Sequence, residues 1–282
     1  MCDPRGVESA HEWKQYYRSE RARLGVTALL AMIDDAPRVD VRPGGAIVIP
    51  HTRIEVTGHQ IGSAVAAVLS SGADTVLALG VLHGARRVDR DRVAAARGGD
   101  SDAVAGLRGV HRETGLAAEE FSLDGFVEML DLAAERAGRR IEVVRRYPFL
   151  VGDDPTTLPG VDELDGLVDG GALLVATTDP IHHGHAYGTF ADDCLDPADP
   201  ATLASARSAI DDQLGALCDH RFVDFARLVE RDRSDFRDTG PTLAHLLGAG
   251  FEPEVHDVAL VDYSEALAAP SPSWVAGALV TM

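Results

Sequence analysis

The sequence predicts a single α/β domain over residues 1–282, with a central mostly parallel or mixed sheet covered by helices on both faces. Three observations predict it. Short apolar runs bounded by turn residues recur along the chain, segments of helical periodicity alternate with them, and no linker divides the 282 residues. Apolar runs without polar alternation suit strands buried on both faces. A chain of this length can bury a full core without disulfides or metal staples.

The elements follow in order. Residues 45–50, GAIVIP, form an apolar run ending at a proline, a buried strand. Residues 60–71 repeat small and apolar residues at helical spacing, and DTVLALG at 74–80 is a second strand. Residues 85–106 are biased toward charge and glycine. A helix fits 122–137, with Ser122 as its N-cap and acidic residues in its first turns. IEVVRRYPFLVG (141–152) is a strand, a helix lies near 161–168, and ALLVATTD (172–179) is the strongest strand of all. CLDPADP (194–200) is a turn-rich connector. Helices at 200–217 and 240–249 then lead to strands at 256–264 and 273–282.

Charge narrows the partners. Lys and Arg total 26 against 45 Asp and Glu, a net charge of −19. Such a surface repels phosphate backbones, which excludes nucleic acid and anionic membranes and leaves metal ions and small ligands. Cys2, Cys194 and Cys218 are odd in number, widely spaced and free of CxxC pairs, so no disulfide framework is expected. No stretch approaches the roughly 18 apolar residues of a membrane span, and the N-terminal residues hold no apolar signal core. The expected location is cytoplasmic, and a homo-oligomer stays open. With only 5% aromatic residues, composition gives no argument from an aromatic stripe or cage.

Histidines mark the chemistry. His51 follows GAIVIP directly, His83 comes three residues after DTVLALG, and Asp179, His182, His183 and His185 follow ALLVATT. Three strands thus deliver histidines at their C-terminal ends, where ligands bind in open α/β sheets. Imidazole is a common metal ligand, and a nearby carboxylate can bind metal or set a histidine tautomer. The plainer reading of DPIHHGH is a solvated turn. His59, eight residues after His51, is placed to line the same pocket from a helix. His11, His111, His220, His245 and His256 read as ordinary polar residues. No GxSxG, Walker A or GxGxxG pattern follows a strand, which weakens serine hydrolase, P-loop and Rossmann readings.

These segments resemble the Memo family (AmmeMemoRadiSam system protein B). PHTRIEVTGHQIGSAVAA looks like the family's PHAGYxYSGxxAA, and LALGVLHGAR like its LLGPSHH, which puts His51 and His83 at family histidines. EEFSLDGF resembles EHSLEVQL with Phe121 replacing a histidine, and RRYPFLVGD resembles IPxLVG. TTDPIHHGHAYG looks like SSDFSHYG, aligning Asp179 and His182, and SWVAGALVTM resembles the closing strand. The family shares its fold with class III extradiol dioxygenases, which hold Fe(II) by two histidines and a carboxylate. The resemblance implies His51 and His83 as metal ligands, His182 as acid–base or outer ligand, and Asp179 as an orienting or ligating carboxylate.

One departure stands out. The family's CGxGP cysteine segment here reads RDTGP, with Arg237 at the cysteine. A guanidinium has no lone pair to give. Asp238 is then the expected third ligand, with Asp235 and Asp179 as alternatives, and Arg237 receives an anionic group of the substrate. Two histidines and a carboxylate are the facial arrangement of non-haem Fe(II) oxygenases. The leading expectation is a non-haem Fe(II) oxygenase acting with dioxygen on a small polar aromatic molecule. Zn and Cu are the alternative metals. Arg53, Arg237, His59, His183 and His185 are the expected substrate-binding residues. The alternatives are a non-enzymatic Memo-like binding protein and a zinc-dependent hydrolase.

Overall fold

Four parallel strands form the centre of one eight-stranded mixed sheet, in the order β4 (Glu142–Phe149), β2 (Thr75–Leu79), β5 (Leu173–Thr177) and β1 (Ala46–Ile49). The short β3 (Gly109–His111) closes one side antiparallel to β4. On the other side β8 (Ser273–Thr281) runs antiparallel to everything it touches. Its end pairs with β1 through Val280 and Thr281, and residues 273–276 pair with β6 (Ile181–Gly184) on the same edge. The outer strand β7 (Glu254–Asp262) covers its opposite edge, with a bulge between Val255 and Asp257. The sheet comes from a computed structural model that describes residues 10–41, 44–83, 92, 95 and 106–282. Cys2 and nearly all of the biased segment 85–106 lie outside the described residues.

Side-chain alternation divides the core into two layers. Ile47, Ile49, Val76, Ala78 and Val175 face α1 (Ala10–Asp34), α2 (Ile54–Ser71) and α3 (Asp124–Arg136). Ala46, Val48, Leu77, Leu79, Leu174 and Ala176 face the other way. They meet α4 (Val161–Asp169), α5 (Pro200–Cys218), α6 (Phe222–Arg231) and α7 (Phe236–Leu247). Helices therefore cover both faces, as the apolar runs predict. Among the described residues no helix is long and apolar enough to cross a membrane.

The predicted strands fall where expected, while several helix boundaries and four elements do not. α2 begins at Ile54, six residues early, because Glu20 of α1 accepts hydrogen bonds from the backbone N–H groups of Ile54 (3.0 Å) and Glu55 (3.4 Å). A cap supplied from another helix leaves no local signal. α7 begins at Phe236, whose N–H donates to Ser234 Oγ (3.1 Å), and it carries Pro241 inside it. Ser122 is not an N-cap: its hydroxyl accepts from Val81 N–H and donates to Val81 C=O, tying α3 to the loop after β2. α1, β3 and β6 carry no strong sequence signal, whereas α6 has a clear apolar stripe through Phe225 and Val229 that the expected elements omit. α1 is strongly charged and interrupted at Gly25, whose φ of 75° no helix interior adopts.

Candidate metal centre

β1, β2 and β5 end side by side, and the chain leaves each one with a polar residue. His51 lies two residues beyond β1, His83 four beyond β2, and Asp179 two beyond β5. His51 N–H donates to Asp179 Oδ1 (3.1 Å), fastening two strand ends together. The chain then enters β6, where His182 points to the same side. Three backbone and side-chain bonds bring the α6–α7 loop to this place. His182 N–H donates to Asp232 C=O (3.0 Å), its Nδ1–H to Arg233 C=O (2.8 Å), and Asp235 N–H to Asp179 C=O (3.1 Å).

The result centres on one oxygen. Asp235 Oδ2 stands 3.6 Å from His51 Nε2, 3.6 Å from His83 Nε2 and 3.5 Å from His182 Nε2. Asp179 Oδ2 adds a second carboxylate 3.5 Å from His51 Nε2. His51, His83 and Asp235 each offer a donor atom within 4.8 Å of the others, and so do Asp179, His182 and Asp235. Ligands about 2.1 Å from one ion stand roughly 3.4 Å apart in a tetrahedral shell and roughly 3.0 Å apart at right angles. The observed spacings are close to the first figure. The donor set fits a metal ion.

The far side of each ring supports that fit. His83 Nδ1 meets Glu120 Oε2 at 3.0 Å, His182 Nδ1 meets the Arg233 carbonyl, and His51 Nδ1 meets Thr177 Oγ1 at 3.2 Å. A carbonyl or carboxylate can only accept, so Nδ1 of His83 and His182 carries a proton. In the neutral ring the Nε2 lone pair then faces Asp235. Two lone pairs aimed at a carboxylate repel unless a proton or a cation lies between them. Metal-binding histidines have this tautomer and these outer partners.

Without a cation, a proton takes the place. Burial alone lowers the His83 imidazolium, but Glu120 and Asp235 outweigh it and raise its pKa to about 9. Asp179 moves upward because it is buried, against the pull of His51 and His182.

Aromatic rings wall the cluster. Phe121 stacks on His83 with centroids 4.5 Å apart and stands edge-on to His51 at 6.1 Å. Tyr187 packs edge-on to His182 at 5.0 Å, and burial with Asp179 and Asp235 nearby pushes its phenol upward. Tyr263 Oη binds Thr52 Oγ1 (2.6 Å), Tyr17 Oη (2.7 Å) and the Arg53 N–H (3.0 Å), fixing the turn that follows His51.

The structure gathers His51, His83, His182 and Asp179, and it places the other expected residues outside the donor groups. Asp235, rather than Asp238, is the carboxylate common to both donor groups. Asp238 belongs to neither donor group, because it lies within the first turn of α7 and its Oδ1 accepts from Leu150 N–H at the end of β4 (2.9 Å). Arg237 turns toward Asp153 at 3.9 Å. Arg53 is engaged by Glu55 at 3.1 Å and Glu20 at 3.6 Å. His59 binds Asp257 of β7 at 2.8 Å. His183 follows His182 on a strand, so it faces the opposite side, stacks on Trp274 at 4.7 Å and accepts from Leu195 N–H. His185 opens a short 3-10 turn and is in neither donor group. Glu120, Thr177 and Tyr187 were not foreseen; of these only Glu120, beside Phe121, stood next to a residue already singled out.

The cluster can bind a metal ion through His51, His83 and Asp235. Comparison with known proteins returned no matching family model and no matching curated protein.

Proposed function

We propose that the chain is a mononuclear non-haem iron(II) oxygenase of Memo-like kind, acting on a small polar aromatic molecule, with His51, His83 and Asp235 holding the ion. The carrying observation is the approach of the His51 and His83 Nε2 atoms to within 3.6 Å of one carboxylate oxygen, Asp235 Oδ2. Two imidazoles and one carboxylate suit iron(II) and leave other positions open. When bound, the ion supplies those positions to substrate heteroatoms and dioxygen.

The remaining residues have separate roles. His182, with its Nδ1–H committed to Arg233 C=O, turns its Nε2 lone pair toward the cluster, 3.5 Å from Asp235 Oδ2, to take a substrate hydroxyl proton and return it. Asp179 holds the His51 backbone in register with the end of β5. Glu120 holds the His83 ring and adds negative charge behind it. Phe121 and Tyr187 offer apolar faces for a ring near the donors. One observation favours a rival: the near-tetrahedral donor spacing also suits zinc and a bound water, hence hydrolysis.

Anaerobic loading with iron(II), followed by oxygen uptake over a panel of catechols and aminophenols, tests the reading. Uptake is expected from the parent and lost in His51→Ala and His83→Ala. Parent-level uptake in both variants refutes it. Oxygen-independent hydrolysis with zinc supports the rival, and failure to retain any metal supports a binding protein.

A further inference from the structure

The chain has five tyrosines and two tryptophans, and five of these seven rings collect in one place. Trp13, Tyr16, Tyr17, Tyr187 and Tyr263 pack together with Phe121 beside the donor cluster. Composition, at 5% aromatic residues, gives no argument for such a cage, yet the few rings are concentrated here. Of eight phenylalanines only Phe121 takes part.

The rings form a ladder. Phe121 stacks on His83 at 4.5 Å, Tyr17 stacks on Phe121 at 5.4 Å, and Trp13 stacks on Tyr17 at 5.5 Å. A side rail runs from Trp13 to Tyr263 at 5.7 Å, and Tyr16 stands 5.3 Å from Tyr17. Tyr17 and Tyr263 are buried, whereas Trp13 and Tyr16 are only partly covered. The ladder thus leads from a metal-binding histidine to solvent. Packing alone does not call for this choice, because leucine or phenylalanine would bury the same space without hydroxyl groups to satisfy. Here the Tyr17 and Tyr263 hydroxyls are bonded to each other at 2.7 Å, so each phenol keeps a proton partner.

We propose that this ladder is a one-electron relay that drains a strong oxidant from the donor cluster to the surface and spares the histidines. The proposal rests on the oxygenase reading above. A one-electron oxidant formed there from dioxygen or hydrogen peroxide, with no organic substrate to consume it, takes one electron. Tyr17 and Tyr263 pass that electron on and are neutral before and after. Trp13 supplies it and releases its indole proton to solvent. A thiol in solution then restores Trp13 by giving one hydrogen atom. The net change is one electron to the oxidant, one proton to solvent and one thiol oxidised to its radical.

The test uses the full chain loaded with iron(II), without organic substrate, with hydrogen peroxide as the probe and peptide mass spectrometry as the readout. Oxygenated Trp13 is expected, with His51 and His83 intact and Trp274, off the ladder, unmodified. In Tyr17→Phe and Tyr263→Phe carrying the parent's iron content, Trp13 oxidation falls several-fold and histidine oxidation rises. Trp13→Phe, at a partly exposed position, leaves the buried hydroxyls in place and is expected to raise histidine oxidation several-fold. Equal Trp13 oxidation in parent and Tyr17→Phe means direct surface attack, and it overturns the relay while the iron site stands. A chain that binds no iron removes both.

Discussion

His83 Nδ1 lies 3.0 Å from Oε2 of Glu120, a carboxylate with no solvent exposure, while the opposite nitrogen of the same ring faces Asp235 at 3.6 Å. A buried acid is costly to keep charged unless something cationic shares its surroundings. The ring passes that demand from Glu120 to the donor cluster. Glu120→Gln keeps an oxygen acceptor and removes the charge. We expect it to weaken metal binding by about 10–100-fold, as measured by competition with a chelator. Unchanged affinity would show that Glu120 only fills space.

Asp235 and Asp238 stand three residues apart and are expected to fail differently. Asp235→Ala removes a donor atom, so metal retention falls further than in Glu120→Gln. Asp238→Ala leaves the Leu150 N–H without its buried acceptor, which costs about 1–3 kcal/mol of stability, with metal retention intact. Metal content and denaturant midpoints of the two variants decide between them. The opposite pattern would return Asp238 to the ligand role.

The pH dependence follows from His83. Its pKa rises from 6.5 to about 9 on folding without metal, so the protonated ring binds its acidic neighbours more tightly in the folded chain. The stabilisation is full below about pH 6.5 and is lost as pH rises toward 9, by at most about 3 kcal/mol. Metal must displace this proton, so metal affinity rises with pH over the same window. Unfolding midpoints of metal-free parent and His83→Gln between pH 6 and about 9.5 check this; parallel curves contradict it.

Gly184 sets the position of His182 from a distance. Its φ is 105°, and a Cβ there would run into the Pro272 carbonyl where β6 meets β8. Gly184→Ala is therefore expected to loosen that pairing, lower stability by more than about 1 kcal/mol and reduce activity more than metal content. His182 is a proton carrier in this reading, and His51 and His83 follow other strands, β1 and β2. Equal loss of metal and activity would instead place His182 among the required ligands.

Much of the site was legible because strand ends are local events. An apolar run that stops at a polar residue shows in the sequence, and GAIVIP, DTVLALG and ALLVATT stop just before His51, His83 and Asp179. The sheet then places these residues at one edge. The choice among carboxylates was not legible. Asp235 and Asp238 carry the same side chain, and only the start of α7 at Phe236 separates a residue before the helix from one inside it. That start depends on Ser234 and on bonds from the α6–α7 loop to Asp179 and His182.

The sequence by itself determined the α/β class, the single domain and the strand-end histidines, because burial on both faces imposes a periodicity that local composition reveals. Tertiary structure alone decided which side chains meet. His183 stacks on Trp274, Glu20 caps a helix from another one, and scattered aromatic residues close into a single wall. Such contacts join positions far apart in the chain, and no short window of residues contains both partners.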